Sequence, residues 1–207
     1  SWTRFYDQVL LQLNYLAWVP ARTAESQVDI LAGNLDGLLW RVTVWPDGVP
    51  LVYDSIHACG CYHLFFKGNM TRPLAAPTGL QEPAFFPGQQ PDGFADLPLS
   101  LYVSTGKHYL QRVVSLPGQR MSDTTYMMYP LNRLLNMPLS NGQYRSLYQP
   151  DGLVRGTQRP ERFLFWPMGI KSAGSMRQSG HHATAFVGRR HFDDARLFES
   201  IILRSRE

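Results

Sequence analysis

Only two cysteines occur in the 207 residues, and they stand two positions apart, at Cys59 and Cys61. A disulfide framework is therefore excluded. A bond between these two would close a very small, strained ring. Charge is scarce too: 17% of residues are Asp, Glu, Lys or Arg, where about 25% is usual. No apolar run reaches the roughly 18 residues that a membrane-crossing helix needs. The apolar stretch Val9–Val19 is short, has no basic leader and lacks an Ala-x-Ala site, so it does not read as a signal peptide. The expectation is a soluble protein of the cytoplasm, the periplasm or the secreted fraction.

Further absences narrow the function. Gly106-Lys107-His108 lacks the glycine spacing of a phosphate loop, so no nucleotide loop is read there. No DNA- or RNA-binding motif is present and the net charge is a modest +4, so nucleic acid is not an expected partner. No spacing among Asp36, Asp54, Glu82 and Glu161 selects a carboxylate pair for glycoside chemistry. The spare positive charge is local. Residues 1–150 hold 10 Lys/Arg and 10 Asp/Glu, whereas residues 151–207 hold 10 and 6. A solvated face with local ion pairs accounts for that excess. The substrate and the oligomeric state have no signature.

What is abundant is core material. Hydrophobic residues make up 44%, with 5 Trp, 10 Tyr and 11 Phe, which argues for a well-buried domain and against disorder. Leu38–Val44 is β-branched and aromatic, Trp45-Pro46-Asp47-Gly48 has turn chemistry, and Val49–His57 resumes an extended pattern. This predicts a β-hairpin. A second hairpin is expected at Leu99–Val103 and His108–Val114 around Ser104–Lys107. Residues 5–19 allow a helical stripe or a strand whose apolar face is Val9, Leu11, Leu13, Tyr15 and Ala17. The reading leans to helix at the start, ended by Pro20. Tyr126–Met137 reads as irregular or briefly helical. Phe163–Trp166 and Ala183–Val187 read as short buried strands, and Asp193/Asp194 as the cap region of a closing helix, Ala195–Arg204. Residues 67–98, rich in proline and glycine, form a long structured loop or an internal join. The expected fold is a single β-dominated α+β domain over 1–207, with antiparallel hairpins in a sandwich or barrel and a C-terminal helix.

The chemistry-bearing feature is His57-Ala58-Cys59-Gly60-Cys61-Tyr62-His63. His57, Cys59, Cys61 and His63 alternate, so a regular strand would project all four from one face. Thiolate and imidazole are ligands for zinc, copper and iron. A straight strand would separate His57 and His63 by about 20 Å, too far for one metal. Either Gly60 bends the chain or the ligands divide and recruit a distant histidine, for which His182 is the candidate. The leading expectation is therefore a metalloprotein, a metalloenzyme of hydrolytic or oxidative chemistry, with His57, Cys59, Cys61, His63 and His182 as metal ligands. A metal-free thiol enzyme is the first alternative, with Cys59 or Cys61 as nucleophile and a neighbouring imidazole as base. In a regular strand Asp54 would not share the histidine face, so it is not expected to orient the base. A non-catalytic interaction domain with a structural Cys/His site is the second alternative.

Overall fold

The computed structural model describes residues 1–76, 78, 82–87, 98–115, 124–182 and 191–204. Its centre is a five-stranded antiparallel sheet in sequence order: β1 (Trp2–Phe5), β2 (Gln8–Arg22), β3 (Gly33–Val44), β4 (Pro50–His57) and β5 (Leu64–Lys67). The predicted first hairpin is β3–β4. The Gly48 N–H donates to the Trp45 carbonyl (2.9 Å) and the Trp45 N–H to the Val49 carbonyl (2.8 Å), closing the Pro-Asp-Gly turn. Gly48 sits at φ +87°, where a side chain is strained.

β2 is a strand throughout, so the helical leaning at its start is corrected. Its pairing with β3 runs from Leu11 opposite Val44 to Arg22 opposite Gly33, and that ladder outweighs a weak helical stripe. The inward face is also the other one. Leu10 is buried, while Val9, Leu11, Leu13 and Tyr15 are exposed. Pro20 does not end the strand, because the ladder steps over it from Val19 to Ala21, and Leu35 near the gap takes φ +53°.

All of β4 after Pro50 is buried, which requires cover on both faces. On one face Trp40, Tyr53 and Phe66 pack with Val113, Leu99 and Leu101. Val113, Leu99 and Leu101 belong to the second predicted hairpin, β7 (Leu99–Val103) and β8 (Leu110–Ser115), which follows the short strand β6 (Thr71–Pro73) in the chain. On the other face Leu39 and Ile56 pack on Phe192, and Val52 and Phe65 pack on Leu197, Phe198, Ile201 and Ile202. Strand-rich layers over one sheet match the expected β-dominated fold, and the described strands do not close into a barrel.

The C-terminal helical region is short. A 3-10 turn at Leu197–Ser200 leads into strand, since Ile202–Arg204 pairs with β6. Leu131–Leu135 is a 3-10 turn, followed by the small pair β9 (Met137–Pro138) and β10 (Tyr144–Arg145), which makes Ile202–Arg204 β11. Phe163–Trp166 is not a buried strand. Arg162–Phe165 is one turn of helix, α1, continued by a 3-10 turn at Trp166–Met168, and Phe163, Leu164 and Trp166 are exposed. Within the proline-rich stretch, β6 is strand and Phe85 bridges to Leu64. The expected strand Ala183–Val187 lies outside the described residues. Among the described residues, no helix is long and apolar enough to cross a membrane.

Candidate functional site

β4 ends at His57 because the chain turns there. The Gly60 N–H donates to the His57 carbonyl at 2.7 Å, and the His57 N–H donates to the Cys61 carbonyl at 2.9 Å. Gly60 at φ +99° permits the reversal. Of the two outcomes that strand geometry allowed, the bend at Gly60 is the one adopted. Two further bonds fix the turn: the Ala58 N–H to the Gly37 carbonyl and the Arg177 N–H to the Ala58 carbonyl, both 2.8 Å. Tyr62 follows at φ +58°, a conformation that costs a non-glycine residue about 1–2 kcal/mol. Its hydroxyl is 2.8 Å from that of Tyr109, in the β7–β8 turn.

The turn separates the two histidines. By strand alternation His57 shares the face of Tyr53, and His63 shares that of Asp54 and Phe65. His63 Nε2 lies 2.7 Å from Asp54 Oδ2, and its ring packs 4.1 Å from that of Phe65. Arg41 grips the same carboxylate, through Nε to Oδ1 at 2.9 Å and Nη2 to Oδ2 at 2.6 Å. The expectation that Asp54 and the histidines face apart is thus corrected for His63: an inserted turn, not a continuous strand, sets its parity. Burial opposes the Asp54 charge, but Arg41 and His63 together hold the carboxyl below its ordinary range.

Cys59 and Cys61 line a cavity of about 620 Å³. Both thiols are free and half-buried. The two side chains interact across Gly60, and that interaction lowers the Cys59 pKa and raises that of Cys61. A shared proton has this effect: one sulfur is stabilised as thiolate while the other keeps its hydrogen.

His57 also lines this cavity and is 3% exposed. Burial pushes its pKa down to about 4, against a partial pull upward from Asp36. Its Nε2 has no hydrogen-bond partner. The imidazole is therefore neutral at pH 7, with one ring nitrogen uncommitted. Arg159, 3% exposed, contributes a second orphan to the same cavity: Nη2 donates to the Leu35 carbonyl at 2.7 Å, while Nη1 is unpaired. Asp36 lies between them, its Oδ2 accepting from His108 Nδ1 at 2.8 Å. Glu161 completes the wall, its pKa raised by burial.

His57, Cys59 and Cys61 thus face one cavity. His63 reaches its wall but is committed to Asp54. His182 lines a different, smaller cavity, with Nδ1 3.7 Å from Asp193 Oδ2. Among the described residues, no three His, Cys, Asp or Glu side chains converge as a metal-holding group. The sequence reading missed Arg22, Tyr109 and Arg159, weighed Asp36 and Glu161 only as members of a carboxylate pair, and read His108 only as part of the second hairpin; the packing of distant elements brings them together.

No known family model matches the chain, and neither a curated protein nor a solved structure matches it. The geometry of the cavity is therefore what speaks for function.

Proposed function

We propose that the chain is a thiol-dependent enzyme of the thiol–disulfide exchange class, working in the 620 Å³ cavity with Cys59 as its nucleophile. The observation that carries this reading is the turn at Gly60, which sets two free thiols on the wall of one cavity; their interaction lowers the Cys59 pKa and raises that of Cys61, which divides the labour between them. The Cys59 thiolate attacks one sulfur of a substrate disulfide and forms a mixed disulfide. The departing thiolate takes the proton that Cys61 retains. The Cys61 thiolate so formed then attacks the Cys59 sulfur and releases the second substrate thiolate, which is protonated from solvent. Two electrons pass from the cysteine pair to the substrate. The Cys59–Cys61 ring is small and strained, so it gives its oxidation back readily. That strain favours the same steps in reverse, in which the oxidised pair takes two electrons from a substrate dithiol, and isomerisation through the mixed disulfide. The unpaired Arg159 Nη1 suits a carbonyl or carboxylate of the substrate. The test is incubation of the reduced protein with oxidised glutathione, followed by mass spectrometry. A glutathione adduct on Cys59 that resolves to a product two hydrogens lighter is expected; two cysteines that stay unmodified would overturn the reading.

A second reading is supported by the orphaned Nε2 of neutral His57, a lone-pair donor in the same cavity as two thiols. A thiophilic ion such as zinc or copper(I) would use these three donors after a small adjustment of the turn. Elemental analysis of the protein purified without chelator separates the two. Stoichiometric metal whose removal by a chelator raises the alkylation rate of Cys59 would favour the ion.

A further inference from the structure

The smaller cavity, of about 230 Å³, lies on the other side of the Ala58 turn from the thiols and is lined by Leu16, Leu39, Leu131 and Leu135 on its apolar side. Its polar lining residues are Asn132, Tyr148, Arg177, Gln178, Ser179 and His182. Arg177 is 7% exposed and His182 4%. Arg177 Nε and both ring nitrogens of His182 have no hydrogen-bond partner. The rest of the guanidinium is already fixed, because Nη2 donates to the carbonyls of Lys171 and Ser172. No Asp or Glu lines the cavity among the described residues. Asp193 Oδ2 lies at ion-pair distance from His182 Nδ1, 3.7 Å, which leaves Nε2 as the ring nitrogen without a partner. Burial pushes the Tyr148 pKa up to about 12, so its hydroxyl keeps its proton and can donate.

Buried polar atoms without partners are rare in folded proteins, and a bound ligand is one way to satisfy them. Water alone is a poor occupant of a space whose wall is mostly apolar. We propose that this cavity binds a compact carboxylate with an apolar body, its carboxylate on Arg177 Nε and His182 and its body among the four leucines. At interior packing density the space holds about ten non-hydrogen atoms, which limits the ligand to a short fatty acid or a single-ring aromatic acid. Neither thiol lines this cavity, so its failure to bind an acid would leave the thiol reading untouched.

The experiment is a calorimetric titration of the full chain with hexanoate and with benzoate, and with hexan-1-ol and benzyl alcohol as uncharged controls. At least one acid binds saturably with a dissociation constant at or below about 1 mM, the range open to a ligand of this size, and its alcohol binds at least tenfold more weakly. Which acid binds decides between an aliphatic and an aromatic ligand. Arg177→Met weakens binding at least tenfold. Leu135→Trp fills the mouth and does the same, and because Leu135 is 46% exposed this variant keeps the fold; an unchanged thermal midpoint checks that. Cys59→Ser binds as the parent does. Absence of saturable binding by either acid, equal binding of acid and alcohol, or full binding by a folded Leu135→Trp would overturn the proposal.

Discussion

His63 Nε2 sits 2.7 Å from Asp54 Oδ2, and Arg41 closes on the same carboxylate from the neighbouring strand. Arg41 and Asp54 are directly opposed in the β3–β4 ladder. The guanidinium also donates from Nη1 to the Phe192 carbonyl at 2.7 Å and lies 3.7 Å from the centre of the Phe192 ring. One ion pair thus ties the central sheet to the C-terminal segment that covers it. Asp54→Asn leaves Arg41 buried without its counter-charge and is expected to cost about 3–5 kcal/mol. Urea unfolding at pH 7 measures it, and a loss under about 1 kcal/mol would contradict this role. Because the Asp54 pKa is depressed in the folded state, its contribution is complete above the ordinary value of 3.8 and is lost as pH falls through the depressed one.

His57 sets a second pH dependence. Its folded-state pKa of about 4 lies below the ordinary 6.5, so the unfolded chain binds more protons between those values. Stability is therefore full above pH 6.5 and falls as the pH drops towards 4. A shift of this size corresponds to about 3 kcal/mol. Denaturant midpoints across that window are expected to fall for the parent and to flatten for His57→Phe, which keeps the ring and removes the titration. Equal slopes for the two proteins would show that His57 is not buried as a neutral ring.

The bend at Gly60 is expected to be intolerant of a side chain. At φ +99° a Cβ is strained, and Gly60→Ala is expected to cost about 1–2 kcal/mol. It also relaxes the turn that brings the two sulfurs into contact. Thermal unfolding and thiol alkylation are the two readouts, and both are expected to decline. A variant with parental stability would mean that the turn has another conformation.

The hairpins were legible because their signals are local. Pro46-Asp47-Gly48 sits between two β-branched runs, and chain neighbours alone decide such a structure. Phe163–Trp166 carries aromatic residues of strand type but has no strand to pair with. Local bonds instead wind it into a turn, with Phe163 N–H donating to the Pro160 carbonyl at 3.0 Å. The Cys/His segment was legible as a place and not as a geometry. Alternation along a strand puts His57 and His63 on one face, and a turn between them puts them on two. Asp36 and His108, 72 residues apart, meet only because two hairpins pack together. Nothing in their immediate sequence announces that contact.

The account stands most directly on the inequality of the two thiols. The measurement is the rate of iodoacetamide alkylation of each cysteine against pH, read by peptide mapping, in the parent and in Cys61→Ala. Cys59 is expected to react with a midpoint below the ordinary 9.0, and Cys61 well above it. Removing the Cys61 thiol is expected to move the Cys59 midpoint upward and slow its alkylation at pH 7 by about three- to tenfold. Two cysteines that titrate together at the ordinary value, with Cys59 unaffected by the loss of Cys61, would contradict the account.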